Sequence, residues 1–369
     1  MHVLRLAHLR LFNILLSLML PGISLAAMED NVIEQADLAN EVKQAVREKK
    51  GTWLPVPIPV SNPTIGSGLQ AVLLYLHPQE DPEVPTATSG VGAMYTDSES
   101  WLVGAFHDGN FKNDLYRYRL LGGTGEFNLD YYDDNTAIPY NISSDIFLGQ
   151  FQRRIPGTED LYLGFRYMFT DSNVVFDLSG SIPGLPPVRD GMTTSGLGVI
   201  FNFDTRDNNY YPTSGSYAEV LWIRDKPSIG SDFNFDKLTS FYNHYFQLSN
   251  KDTLALRGTL ENVDGDAPFY LQPALKLRGF PVGRYRDESS FSVHTEWRRK
   301  FHPRWGFILF YELGSVALNV SELLQADIIT SVGGGIRWQV TKDKKMNLGI
   351  DVGYSEDDSA VYLQIGEKF

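Results

Sequence analysis

The chain has 369 residues and no cysteine, and 32 Lys and Arg face 45 Asp and Glu, which gives a net charge of −13. This balance argues against a nucleic-acid binder, which needs clustered bases against phosphate, and the lack of cysteine excludes a disulfide scaffold, a thiol nucleophile and a Cys-ligated metal. With 33 Gly and 13% aromatic residues the chain fits neither a helical bundle nor a disordered protein; its length allows two ordinary domains or one large β-barrel.

Residues 1–26 have the pattern of a cleaved signal peptide. Arg5 and Arg10 precede an apolar stretch at 11–20, and Ser24-Leu25-Ala26 is a small-x-small cleavage site. The apolar stretch is shorter than the ~20 residues that span a bilayer, and no later stretch resembles a spanning helix. We therefore expect an exported protein that is either soluble or a transmembrane β-barrel.

Residues 27–63 are expected to form a periplasmic helix and a linker. Over 28–50 apolar residues recur at helical spacing, with acids early and bases late, as the helix dipole favours. Gly51 ends this helix. The Pro-rich run that follows is expected to be an extended linker to the barrel, because proline cannot continue a helix.

From residue 64 to 369 the pattern has a period of two, which is typical of strands with one apolar face. Residues 161–169, for example, alternate large apolar side chains with Tyr162, Gly164, Arg166 and Met168. The pattern predicts an all-β fold with sixteen strands, at about 66–76, 88–97, 100–109, 113–122, 124–133, 145–155, 160–171, 191–204, 215–226, 234–249, 251–263, 288–301, 304–317, 330–341, 344–355 and 360–369.

The connections between these strands favour a membrane barrel. Those after even-numbered strands are often tight, whereas those after odd-numbered strands are often long and acidic, as at 172–190 and 264–287. This habit, an even strand count and abundant aromatic residues are typical of outer-membrane barrels. We predict a 16-stranded antiparallel transmembrane β-barrel in the bacterial outer membrane. A soluble β-sandwich is the alternative, but its strands are usually shorter.

Charged residues fall on the strand face opposite to the apolar one, so a barrel would enclose them. They lie mostly on the later strands and comprise Arg166, Arg257, Glu261, Glu296, Arg298, Glu312, Arg337 and Asp351. Charges of both signs in one lumen can pair and hold a loop or plug there. They can equally line a hydrated channel, and the pattern alone does not choose between the two.

Several motifs resemble those of the BamA/TamA-like outer-membrane assembly-factor superfamily, also called the bacterial surface antigen family. A D-x-R-D-N…Y-P-T-x-G signature of that family matches a predicted periplasmic turn, with Asp204, Arg206, Asp207, Asn208, Pro212 and Gly215. From the residues alone this stretch is a good turn, since Asp and Asn bond nearby main chain and proline fixes φ. Leu277-Arg278-Gly279-Phe280 resembles the family's R-G-F loop, while Glu296-x-Arg298 and the segment 310–314 resemble two of its strand motifs.

The resemblance implies a sixteen-stranded barrel whose R-G-F loop joins strands eleven and twelve and folds into the lumen. Arg278 would then sit near the carboxylates of Glu312 and Glu296, with which a guanidinium forms strong charge-assisted bonds. Gly279 would permit a close approach of main chain, and Phe280 would pack against the inner wall. Only 27–63 precedes the predicted barrel, so the chain is expected to be a short member without the polypeptide-transport (POTRA) domains of its relatives.

The resemblance also implies insertion or translocation of proteins, or of lipids, through a lateral seam between the first and last strands. Unpaired edges at such a seam can template another strand. We place the seam at Gly66 and Gly68 in the first predicted strand and at Gly366 and Phe369 in the last. The expected partners are outer-membrane lipids and lipopolysaccharide, a nascent barrel or secreted protein as client, and a second copy of the chain.

Two other classes of function remain as alternatives. One is a passive or plugged outer-membrane channel, or a structural barrel, without insertase activity; helix 28–50 would block its mouth. The other is an enzyme, which we do not expect, because the chain contains no H-E-x-x-H, G-x-S-x-G or phosphate-loop motif. The sequence indicates no catalytic residue, no metal site, no cofactor and no nucleic-acid partner.

Overall fold

The computed structural model describes residues 51–78, 87–133, 136–176, 187–208, 211–339, 347–356 and 358–369. The predicted signal peptide and the predicted helix 28–50 lie outside these ranges. Within them, no helix has the length and apolar character needed to cross a bilayer.

In the described part of the chain, sixteen antiparallel strands close into one barrel in which each strand pairs with its neighbours in sequence and β1 pairs with β16. This confirms the predicted fold. The strands are β1 Thr52–Asn62, β2 Gly66–Leu76, β3 Thr88–Thr96, β4 Trp101–Phe111, β5 Tyr116–Asp133, β6 Thr136–Arg154, β7 Leu161–Phe176, β8 Val188–Asp204, β9 Gly215–Asp225, β10 Phe235–Gln247, β11 Asp252–Gly265, β12 Ser289–His302, β13 Trp305–Ala317, β14 Ile329–Gln339, β15 Asn347–Ser355 and β16 Ser359–Ile365. Single 3₁₀ turns lie at Pro227–Ile229, Phe269–Leu271 and Val320–Glu322.

The barrel begins earlier than predicted, because the Pro-rich run is itself a strand. β1 pairs with β2 without a break, from Thr52 opposite Leu76 to Asn62 opposite Gly66. The boundary expected at residue 64 is therefore corrected to Thr52. The prolines stand at every second position, and alternate residues of a strand direct their main-chain groups to opposite neighbours, so the ladder to β2 loses no donor.

The strands predicted at 113–122 and 124–133 are one strand, β5. It pairs with β6 continuously from Tyr116 to Asp133. The glycines in its middle let it lie close to β4: a Cβ on Gly123 would be 3.0 Å from the carbonyl oxygen of Val103. One strand was missed and one was divided, so the predicted count of sixteen is right although two of its members are not.

The outward face is apolar and the lumen has two unlike halves. Large exposed hydrophobic side chains recur around the outside, among them Leu69, Tyr95, Phe165, Leu309 and Ile350. Inside β3 to β7 lies an apolar core that includes Met94, Leu102, Leu121, Phe127 and Tyr131. Inside β12 to β15 the buried side chains include the charged residues Glu296, Arg298, Glu312, Arg337 and Asp351. A barrel of this size that turns apolar side chains outward is built for a bilayer.

The connection from β11 to β12, residues 266–288, folds into the lumen, as predicted for the loop that carries the R-G-F motif. Its first turn, Phe269–Leu271, packs into the apolar core. Further along, the N–H of Val282 donates to the hydroxyl of Thr64 in the β1–β2 turn at 2.9 Å. The loop therefore contacts both halves of the lumen and reaches the first hairpin of the barrel.

Candidate functional site

Arg278 is the centre of the loop and is almost fully buried, with 2% of its surface exposed. Its main-chain N–H and its Nε donate to the two carboxylate oxygens of Glu312 at 2.6 and 2.8 Å. Nη1 donates to Asp351 at 2.9 Å, and Nη2 lies 3.1 Å from Glu296. The structure thus brings Arg278 together with both expected carboxylates and adds a third.

The three carboxylates converge because their strands present them inward. Glu296 on β12 lies opposite Phe310 on β13, two residues before Glu312. The guanidinium lies over the ring of Phe310, with 3.4 Å from ring centroid to Cζ. Charge-assisted bonds to the edge of the guanidinium and an aromatic ring against its face both depend on its planar shape, which the ammonium group of lysine does not share.

Gly279 lets the loop lie directly on β15. Its φ of +114° is in the region that favours glycine, and a Cβ there would be 3.0 Å from the main chain of Tyr354 and of Ser355. Gly353 opens the facing strand, since a Cβ there would be 2.9 Å from the nitrogen of Gly279. The N–H of Gly279 donates to the hydroxyl of Tyr362 at 2.9 Å. The loop is therefore seated by main chain as well as by charge.

Phe280, the last residue of the R-G-F motif, lies in a small apolar cluster. It is 1% exposed and packs with Leu275 and Leu277 of the same loop. Its ring meets that of Tyr285 edge to face, with 5.1 Å between centroids. Val316 of β13 and Ile329 of β14 pack against the same cluster, so the small core of the inserted loop rests on the inner wall of the barrel.

Two further arginines extend the charged cluster. Arg298 donates from Nε to Glu296 at 2.8 Å. Arg337 holds Asp351 through both terminal nitrogens. Two of the three carboxylates that contact Arg278, Glu296 and Asp351, thereby serve a second cation, as the sequence suggested for side chains of both signs in one lumen.

Residues 366–369 enter this cluster from the end of β16, which was not expected. Glu367 pairs with Arg337 at 2.9 Å, and Lys368 pairs with Glu312 at 2.9 Å. The carbonyl oxygen of Phe369 accepts a bond from Arg298 at 2.5 Å, and its ring is buried in the lumen. The seam position predicted for Phe369 is corrected, because the chain turns inward at Gly366, whose φ is +83°.

The cluster is balanced in charge. Four cations, Arg278, Arg298, Arg337 and Lys368, face four carboxylates, Glu296, Glu312, Asp351 and Glu367. Such a group is stable when every member is paired and bonded, whereas the loss of one member leaves a buried charge without compensation. The arrangement can therefore fix the loop and the segment 366–369 relative to one another.

The predicted turn motif connects β8 to β9 at the end of the barrel where β1 begins and β16 ends. Asp204 binds Arg206 in a two-point pair at 2.8 and 2.9 Å. Asp207 accepts from the N–H groups of residues 213 and 214, and Asn208 accepts from the N–H of residue 211. Pro212 lies between these bonds, and Gly215 adopts a φ of +94° as β9 begins. The described residues of the motif thus make the side-chain to main-chain contacts that are typical of a turn.

The seam lies at a different strand from the one predicted. Gly66 and Gly68 both belong to β2, where Gly68 pairs with Val60 and with Thr96. The strand next to β16 is β1, because the Pro-rich run adds one strand before the predicted first. Of the predicted seam residues, only Gly366 adjoins the true seam, at the end of β16.

The residues that prediction missed have weak signals in the sequence. Asp351 was placed in the lumen by alternation, but nothing in the pattern joined it to Arg278. Tyr362 and the segment 366–369 carry no motif, and their positions depend on where β16 ends. Alternation assigns a face to a side chain and does not reveal its partner across a closed ring.

The comparisons with known proteins agree with this geometry. The Omp85 superfamily domain matches residues 106–369. BamA from Haemophilus ducreyi lacking POTRA domains 1-3 is similar in structure, with a TM-score of 0.61, 13% identity, and coverage of 87% of this chain and 70% of that one. No curated protein matches the chain in sequence.

Two CdiB structures are also similar. For CdiB from Acinetobacter baumannii the TM-score is 0.56 at 12% identity, with coverage of 86% of this chain and 60% of that one. For CdiB from Escherichia coli the TM-score is 0.58 at 9% identity, with coverage of 87% and 63%. The chain thus spans less than two thirds of either CdiB. With the domain match over most of its length and a closed barrel of sixteen strands, this chain is an outer-membrane β-barrel that belongs to the Omp85 superfamily.

Proposed function

We propose that this barrel inserts or translocates polypeptide through the seam between β1 and β16. The observation that carries the proposal is how little main chain joins the two strands. Among the described residues, Ser61 opposite Leu363 is the one pair between them, whereas β1 and β2 pair along all of Thr52–Asn62. A barrel separates most easily where its ladder is shortest, and the exposed edges can then pair with another strand.

The lumen wall beside the seam supports the same proposal. Ile58 of β1 forms a buried apolar cluster with Val72 and Leu74 of β2, and Leu348 of β15 packs against it. The seam is thus closed at this level by apolar side chains, which separate without breaking hydrogen bonds. A client with apolar side chains would meet an apolar wall on its way from lumen to lipid.

In this proposal the barrel is not an enzyme, since it moves a client and breaks no covalent bond. Its outward side chains contact outer-membrane lipids and lipopolysaccharide. Its client is a nascent barrel or a secreted protein that arrives unfolded. Membership of the Omp85 superfamily and the similarity of fold to BamA and CdiB support this direction.

A disulfide across the seam tests the proposal. The chain has no cysteine, so Ser61→Cys with Leu363→Cys gives one defined pair, and directly opposed residues lie within disulfide reach. The barrel is placed in liposomes, and an eight-stranded outer-membrane barrel is added from urea as client. The rate at which the client gains heat-resistant mobility on gels is compared with the rate in empty liposomes.

The reduced variant is expected to speed client folding and the oxidised variant to match empty liposomes. A control pair, Leu163→Cys with Phe201→Cys, locks opposed residues of β7 and β8 instead and is expected to leave the rate unchanged after oxidation. Equal rates for the oxidised and reduced seam variants would contradict the proposal.

A plugged structural barrel is the second candidate, and the filling of the lumen favours it. Tyr131, Tyr245, Tyr270 and Arg298 are among the largest side chains with under 2% exposure, and all point into the barrel. A barrel with this role would carry no steady current across a planar bilayer and would not speed client folding. An acceleration that the seam disulfide removes would exclude it.

A further inference from the structure

The edge of β1 that faces β16 carries three prolines. In an antiparallel strand the N–H and C=O of one residue point to one neighbour and those of the next residue point to the other. The unbroken ladder to β2 requires donors from the even-numbered residues of β1. Pro55, Pro57 and Pro59 therefore direct toward β16 a nitrogen that has no hydrogen.

The one pair across the seam fits the same alternation of odd-numbered and even-numbered residues. Ser61 is odd-numbered like the prolines, and it is the first such residue after them that retains an N–H; this is where β1 pairs with Leu363. Between Trp53 and Ser61, the edge of β1 offers carbonyl acceptors to the seam and no N–H donor. The seam is short because of this chemistry.

A strand that added to β1 would form only half of a ladder. Its N–H groups could donate to the carbonyl groups of the prolines, but its own carbonyl groups would meet no donor. Unsatisfied main-chain groups are costly within the hydrocarbon region, where no water replaces the missing partner. Prolines at sheet edges block strand addition for this reason.

The chain's own residues avoid this edge. If β16 continued in the register set by its one pair with β1, Ile365 would lie opposite Pro59 and Glu367 opposite Pro57. Instead, β16 ends at Ile365, and the N–H of Gly366 donates to the carbonyl of Asn347 at 2.8 Å. The segment 366–369 then turns into the lumen, where it forms ion pairs instead of an incomplete ladder with β1.

The edge of β16 is complete by comparison. Since Leu363 pairs with β1, its odd-numbered neighbours Val361 and Ile365 direct their main chain to the same side. Both retain N–H and C=O, and in the described part of the chain neither forms a main-chain pair with β1; the carbonyl of Val361 accepts a side-chain bond from the hydroxyl of Ser61 at 3.4 Å. The side chain of Val361 is 51% exposed on the outside of the barrel, so an added strand would place apolar side chains beside it.

We propose that an extended segment of a client polypeptide, with alternating apolar side chains, adds to the edge of β16, and that β1 does not template it. This inference rests on the proposed function and identifies β16 as the strand edge that binds the client. β1 then serves as the side from which the client separates, because the prolines prevent a full ladder there.

Disulfide capture of a strand peptide tests the inference on the full chain. The probe is a peptide of about ten residues, the length of a membrane-crossing strand, with alternating Val and Thr and one Cys. Single cysteines are placed at Val361 on β16 and at Trp53 on β1, two outward positions that are 51% and 63% exposed. Ser359→Cys is a second reporter on β16, should Val361→Cys fold poorly. The expected result is capture about tenfold greater at either β16 position than at Trp53, as a difference of a few main-chain hydrogen bonds would give.

A peptide with alternate N-methylated residues is the matched control, because it keeps the side chains and loses donors on one edge. Its capture at β16 is expected to fall to the level at Trp53. Equal or greater capture at Trp53, no capture on β16, or undiminished capture of the methylated peptide would each overturn the inference. If the seam disulfide stops client folding while the peptide is captured on β1, the inference fails and the proposed function stands; if the disulfide has no effect, the proposed function itself fails.

Discussion

Glu312 holds Arg278 by two bonds that differ in kind. One carboxylate oxygen accepts the main-chain N–H of Arg278 at 2.6 Å and the other accepts its Nε at 2.8 Å. The first bond fixes where the loop main chain lies and the second fixes the direction of the side chain. Position and orientation of the inserted loop therefore depend on one carboxylate of β13.

Replacement of that carboxylate is expected to be costly. Glu312→Gln removes a charge shared by Arg278 and Lys368, and breaking a buried pair typically costs about 3–5 kcal/mol because the partners stay buried without compensation. We expect a clear fall in the urea midpoint of the folded barrel in micelles. Asp236→Asn is the control, since its partner Arg224 is 44% exposed and such pairs contribute about 0–1 kcal/mol. Equal losses for both variants would contradict the central role of the cluster.

Gly279→Ala is expected to unseat the loop. Its φ of +114° and the main chain of β15 at 3.0 Å both oppose a Cβ, and strained backbone of this kind costs about 1–3 kcal/mol. Labelling of a cysteine placed at Val282 should become faster as the loop leaves its site. Gly258→Ala is the matched control, because nothing lies within 4 Å of a Cβ there. An unchanged labelling rate in the Gly279 variant would show that the loop tolerates the side chain.

Phe369→Ala tests the inward course of the segment after β16. Its ring packs with Tyr245 and Ala255 in the lumen, and removal of a buried phenylalanine costs about 3–5 kcal/mol. Phe165→Ala provides the comparison, since Phe165 is 61% exposed on the outward face. The urea midpoint should fall further for Phe369→Ala. The reverse order would contradict the burial of Phe369 in the lumen.

Arg286→Met is expected to stabilise the barrel. Arg286 is 9% exposed, its Nη1 donates to the carbonyl of Phe269 at 3.1 Å, and among the described residues its Nε and Nη2 have no hydrogen-bond partner. Burial lowers the pKa of this guanidinium to about 10. Removal of unsatisfied buried donors should raise stability by about 1–3 kcal/mol at neutral pH.

The pH dependence gives a second measurement on Arg286. Because its folded-state pKa is below the unfolded value of 12.5, the unfolded chain binds the proton more tightly, and the stability of the wild-type barrel should gain from this group as the pH rises from about 10. The Met variant should lack that gain. A destabilised Met variant would instead indicate an anionic partner for the guanidinium.

Alternation alone predicted most of the fold, and its two errors have physical causes. β1 was missed because proline generally opposes strand formation. When prolines occupy only every second position, however, the strand keeps all the N–H donors that face its other neighbour. β5 was divided because the glycines near Gly123 resemble a turn, whereas they allow close packing on β4. A two-residue period cannot distinguish these cases without the neighbouring strand.

The candidate site was predictable in its outline but not in its membership. Resemblance placed Arg278 near Glu312 and Glu296, and alternation placed Asp351 in the lumen. The inward segment 366–369 was not predictable, since its course depends on the donors that β1 lacks. β1 and β16 are far apart in sequence, and the effect of one on the other appears only in the closed barrel.

The lengths of β5 to β8 have a consequence for recognition at one rim of the barrel. These strands have 16 to 19 residues, whereas about 9–11 tilted residues cross the hydrocarbon. The excess projects beyond the lipid as a rigid hydrogen-bonded wall on the side where residues 266–288 enter. Antibodies or phage that bind this wall would recognise a folded surface to which several strands contribute. Short synthetic peptides from a single strand would not reproduce that surface and would be poor immunogens.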